Sequence, residues 1–156
     1  MSGTALALAI LVANGVSPEV EKLRACTISA VDPTTCIGST VQTCIATSPD
    51  GETTAGMSAC IGAEIDAWDA ILNEEYQATM EASRRLDATG DVASADMTRE
   101  VTLRAAQRAW IAFRDAHCAA EYARWGMGTM RQIAGANCVM VETAERAITL
   151  RQMRRP

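Results

Sequence analysis

Six cysteines, Cys26, Cys36, Cys44, Cys60, Cys118 and Cys138, in a chain of 156 residues constrain the fold more than any other feature. No two of them form the close CxxC pair that zinc and iron–sulfur sites use, so neither a metal nor another cofactor is expected from this set. An even number of cysteines in a short chain reads as a disulfide framework built in an oxidising compartment. Six cysteines can pair in fifteen ways. Pairing between neighbours in order is favoured, because each interval holds a turn or break: Asp32-Pro33, Pro49-Asp50-Gly51, and the stretch from Gly126 to Gly135.

The length suits one domain, with or without an accessory segment. Aromatic residues make up only 4% of the chain, and alanine, leucine, glutamate and arginine carry much of the rest. The fold class expected is therefore all-α: a small disulfide-stapled helical bundle with long antiparallel helices. Ser17-Pro18-Glu19 starts a helix over 18–29, and a second short one is expected over 34–46. Ile61, Ile65, Trp68, Leu72, Tyr76, Met80 and Leu86 recur at three- and four-residue steps and predict a long helix over 57–86. Another is expected over 97–125, with Leu103, Ala106, Trp110, Phe113 and His117 on one stripe. The adjoining alanines, from Ala105 to Ala116, would allow close helix approach. A last helix is expected over 136–153 after a glycine-bearing loop, 126–135. The core is expected to include Ile65, Trp68, Leu72, Leu103, Trp110, Phe113, Met140 and Leu150. The loop over 87–96 has the acids of a calcium loop, but it has glycine at its fourth place and no closing glutamate, so a calcium site is rejected.

Residues 1–15 read either as the remnant of a signal peptide or as an amino-terminal helix. Ala5 to Ala13 is apolar and ends in small residues, yet no basic residue precedes it, and it is too short to span a bilayer. A lipid anchor on Cys26 is disfavoured by Arg24 and Lys22 just before it. No transmembrane segment is expected, and the location is periplasmic or secreted.

The formal charge of −5 and a pI near 4.9 argue against a nucleic-acid partner. Residues 1–81 hold 11 acidic and two basic side chains, whereas 82–156 hold eight and 12, so much of the charge cancels internally. Nothing sets a nucleophile beside His117, the single histidine, and cysteines held in disulfides cannot attack a substrate. The acid pairs Glu64/Asp66 and Glu74/Glu75 resemble glycosidase pairs only by proximity, and they read as solvated helix faces. No catalytic residue is expected, and the chain reads as a binding protein rather than an enzyme.

Two segments carry a family pattern: Asp69-Ala70-Ile71-Leu72-Asn73-Glu74-Glu75-Tyr76, and Ala106 to Cys118 with Gln107, Arg108, Trp110, Arg114 and Asp115. With Trp125-Gly126-Met127-Gly128-Thr129, Cys138 and a final Thr143…Arg146…Leu150, the chain resembles the LprI-type lysozyme-inhibitor family over about Cys44 to Leu150. The resemblance implies a helical domain over 44–156 behind a cysteine-containing extension over 16–43. It implies the pairs Cys44–Cys60 and Cys118–Cys138, which leaves Cys26–Cys36. It also implies inhibition of lysozyme-type muramidases, with a basic lysozyme as protein partner; the alternative is a structural or interaction protein of the cell envelope with no lysozyme target. The motif residues Asp69, Asn73, Tyr76, Gln107, Arg108, Trp110, Arg114, Asp115, Thr143 and Arg146 read first as architecture, a polar network that fixes helix register. The preferred contact surface is the loop held by Cys118 and Cys138, whose Thr129, Arg131 and Gln132 offer donors to a carboxylate-bearing cleft. The alternative, if that loop only turns the chain between two helices, is the acidic face around Asp66, Glu74 and Glu81, matched to a basic partner.

Overall fold

The computed structural model describes residues 16–154; the apolar run from Ala5 to Ala13 lies outside them. Among the described residues five α-helices follow one another: α1 (Pro18–Ser29), α2 (Ser39–Thr47), α3 (Thr54–Asp87), α4 (Arg99–Arg124) and α5 (Met130–Gln152). Between α1 and α2 lies a short 3-10 turn, Pro33–Cys36. The described residues contain no strand. Three disulfides join Cys26 to Cys36, Cys44 to Cys60 and Cys118 to Cys138.

Local sequence sets the helix starts. The Ser17, Thr53 and Thr98 hydroxyls accept from the N–H groups of Val20, Gly56 and Val101, so α1, α3 and α4 each begin on a side-chain cap. Asp87 adds a second cap from the end of α3: its two carboxylate oxygens accept from the N–H groups of Arg99 and Glu100, both at 3.0 Å. Asp87 and Asp91 also hold the Arg99 side chain, so an acid at the end of α3 and one in the 88–98 linker fix the turn between the long helices. Burial raises the Asp87 pKa, but the Glu100 and Arg99 N–H groups and the Arg99 guanidinium outweigh it and hold the carboxyl below its usual value.

The long helices run up, down and up, with α3 packed most extensively on α5. Trp68, Ile71, Leu72 and Met80 of α3 meet Met140, Ala144, Ala147 and Leu150 of α5 in one core. Alanines at 67, 144 and 147, all buried, let these two helices lie close together. The amino-terminal segment covers the first half of α3, where Val20, Leu23, Cys36 and Val41 join the same core.

Three expectations are corrected. The helix expected over 34–46 is broken at Gly38, whose φ of +84° suits glycine, and α2 begins only after it. The last helix starts at Met130, six residues early, because Gly135 is not a loop residue. It sits inside α5 against Tyr122, and a Cβ there would lie 3.2 Å from that side chain. Finally, Phe113 is 55% exposed, and Ile65 and Trp110 are only half-buried. The inward face of α4 is Leu103, Gln107, Trp110, Arg114 and Cys118, a stripe rotated from the one expected. The alanines from Ala105 to Ala116 face solvent, because α3 and α5 already pack directly against each other.

Candidate functional site

Glu64, placed by the sequence among solvated acids, is fully buried. It projects from α3 four residues before Trp68, on the apolar face, and meets the amino-terminal end of α2. Its Oε1 accepts from Gly38 N (2.6 Å) and Trp68 Nε1 (2.9 Å). Its Oε2 accepts from Thr40 N (3.0 Å), Thr40 Oγ1 (2.7 Å) and Val41 N (2.9 Å). A carboxylate at the positive end of a helix, with five donors, is well compensated for its burial. Glu75 is likewise drawn inward: its side chain is 14% exposed, and it pairs with Arg151 and Arg154. Neither acid is free to act in a glycosidase pair: five donors take up the Glu64 oxygens, and two arginines hold Glu75. Both stand on the stripe of Ile61, Trp68, Ile71 and Leu72, and that spacing was the signal available in the sequence.

The family-pattern residues divide into two groups. Tyr76, Gln107, Trp110, Arg114 and Arg146 come together where α3, α4 and α5 meet. Arg146 Nε donates to Gln107 Oε1 at 2.9 Å, and the Arg114 and Arg146 guanidiniums lie 5.1 and 5.8 Å from the Trp110 ring centre. Arg114 also donates twice to Asp115 Oδ1. Thr143 is buried and donates back to the Val139 carbonyl of its own helix. Asp69, Asn73 and Arg108 lie on the surface, where the Asn73 amide donates to Asp69.

The turn between α4 and α5 forms a hairpin tip, cross-braced by Cys118–Cys138 about 10 Å up the two helices at 1.5 Å per residue. Gly126, with φ of +54°, makes the turn. Thr129 precedes α5 with its hydroxyl uncommitted to a cap, and Gln132 is exposed. Arg131 is folded back: its guanidinium lies 5.2 Å from the Tyr122 ring centre, and Nη1 donates to the Gly126 carbonyl at 3.4 Å. The tip also exposes three large apolar side chains that the site expectation did not include, Trp125 (46%), Met127 (88%) and Met130 (40%). On the acidic face, Asp66 is exposed, while Glu74 pairs with Arg24 and Glu81 with Arg85. None of the described hydrogen bonds or ion pairs joins that face to the tip.

The family model described as lysozyme inhibitor LprI matches residues 44–150, more than half of the chain. No curated protein and no solved structure matches it.

Proposed function

The chain belongs to the lysozyme inhibitor LprI family, and from that premise we propose that it inhibits a lysozyme-type muramidase in the periplasm or after secretion. The family is one of inhibitors and not of catalysts, and its members bind a protein partner. The three disulfides and the family together make this an extracytoplasmic protein. No helix of the described residues is long and apolar enough to cross a membrane.

The single observation that carries this reading is the family match over residues 44–150. The geometry supports the hairpin tip as the contact surface. A disulfide-braced turn loses little freedom on binding, and Trp125, Met127 and Met130 supply the apolar anchors that dominate interface energetics. Thr129 and Gln132 offer donors to the carboxylates of a muramidase cleft. Arg131 supports the tip through Tyr122 and Gly126 and adds positive charge to it. The acidic face with Asp66, Glu74 and Glu81 then steers a basic lysozyme towards the complex.

The test is cell-wall lysis by a basic lysozyme with and without the purified oxidised protein, in molar excess. Slowed lysis is expected, and equal rates would remove the proposed activity. A Thr129→Ala, Arg131→Ala double variant and a Trp125→Ala, Met127→Ala double variant then locate the contact. Both are expected to weaken inhibition about tenfold or more, while an Asp66→Asn, Glu81→Gln variant mainly slows association.

A further inference from the structure

On the side of the bundle away from the amino-terminal segment, a cavity of about 670 Å³ opens between the end of α3, the start of α4 and the end of α5. Its size falls within the range of about 300–1,000 Å³ typical of small-molecule sites. Its walls combine two chemistries. Leu86, Leu103 and Met153 give it an apolar surface, and Leu86 and Met153, at 52% and 58% exposure, are left uncovered at its mouth. Arg99, Arg146 and Arg154 give it three guanidiniums, and no carboxylate is among its lining residues.

The three cations are not equivalent. Arg99 is matched by Asp87 and Asp91, and Arg154 by Glu75. Arg146 has no ion pair among the described residues; Nε donates to Gln107, and Nη2 is buried without an acceptor. A head group that draws this guanidinium towards it satisfies a donor that the fold leaves unpaired. Burial pushes the Arg146 pKa down, with the nearby Tyr76 opposing it, as expected of an arginine short of counter-charge. In a chain of net charge −5, Arg146 is the one cation of this cavity left without a carboxylate partner among the described residues.

We propose that this cavity binds a single-chain anionic amphiphile, with a carboxylate or phosphate head on Arg146 and the alkyl chain along Leu103, Leu86 and Met153. The guanidinium fork suits either head, since both accept two parallel hydrogen bonds. The alkyl chain covers apolar surface of Leu86 and Met153 that is otherwise exposed to water. The site is separate from the hairpin tip, which lies at the other end of α4 and α5, so ligand binding there does not depend on muramidase inhibition.

Isothermal titration of the full oxidised chain tests this with four probes: dodecanoate and dodecyl phosphate below their micelle-forming concentrations, neutral dodecanol below its solubility limit, and inorganic phosphate. One of the two anionic amphiphiles, or both, is expected to bind at one site per chain, with dodecanol and inorganic phosphate each at least about tenfold weaker. The head that binds more tightly identifies the preferred anion. Arg146→Gln is expected to weaken binding about tenfold. Because Arg146 also braces Gln107 and Trp110, Met153→Glu serves as a second variant; it places a negative charge at the exposed mouth without touching the core, and it too should weaken binding about tenfold. The proposal is overturned by no binding of either amphiphile up to about 1 mM. Equal binding of dodecanol, equal binding of inorganic phosphate, several equivalent sites per chain, or full affinity in folded Met153→Glu would each overturn it as well.

Discussion

Replacing Glu64 by glutamine changes almost no volume, so its effect measures the buried carboxylate alone. The side chain accepts five hydrogen bonds and donates none. An amide keeps one oxygen and turns the other into a donor. Its better orientation keeps the oxygen on Thr40 and Val41, which sets the amide N–H groups against Gly38 N and Trp68 Nε1. Two buried donors then lose their acceptor, at about 1–3 kcal/mol each, and the three surviving bonds lose their charge assistance. The net cost is about 4 kcal/mol. For a domain of this size that corresponds to a fall in Tm of about 12 °C. Far-UV circular dichroism during heating measures it, with exposed Asp66→Asn as a control expected to move stability by less than about 0.5 kcal/mol. A Glu64→Gln protein melting within about 3 °C of the parent would refute the account of Glu64 as the acceptor that fastens α2 to α3.

Asp87→Asn should lower the Tm at neutral pH, and the gap to the parent should close as the pH falls. The folded carboxyl titrates below its ordinary 3.8, so its stabilisation is present above that value and is lost as acid protonates it in the folded state. Melting curves at pH 7 and pH 3 check the sign. Gly135→Leu should cost about 2 kcal/mol by driving a side chain into Tyr122, and adding Tyr122→Ala should recover part of that in a double-mutant cycle. Replacing Cys118 and Cys138 together by alanine should cost about 3 kcal/mol in denaturant titration, while α4 and α5 remain helical.

The long helices were legible because their apolar residues repeat at helical steps over many turns. Trp68, Leu72 and Met80 mark the inner face of α3 whatever packs against it. The inner face of α4 was not legible in the same way. Its buried stripe carries Gln107 and Arg114 between Leu103 and Cys118, while Phe113 and a row of alanines stand outside, so hydrophobicity alone points to the wrong side. The polar stripe makes sense only with α5 in place, because Arg146 supplies the partner of Gln107 and the second cation on Trp110. Glu64 failed for a related reason. Its spacing from Trp68 was visible, but its other donors lie 23 to 26 residues away and owe their direction to the left-handed turn at Gly38. At the tip, Thr129, Arg131 and Gln132 could be named from the sequence, whereas the fold-back of Arg131 onto Tyr122 depends on how closely Gly135 lets the two helices meet.

The order of the disulfides bears on how the chain is made. Each cysteine is bonded to the one beside it in sequence, at separations of 10, 16 and 20 residues. A chain crossing a membrane amino terminus first delivers its thiols in that same order, so the native partner of every odd-numbered thiol is the next to arrive. An oxidase that joins whichever two thiols are present then produces the native set without reshuffling, and a disulfide isomerase has little to correct. The same economy makes the first pair fragile to mutation. Loss of Cys36 leaves Cys26 waiting when Cys44 emerges, and Cys60 is then stranded, an error that propagates like a shifted reading frame.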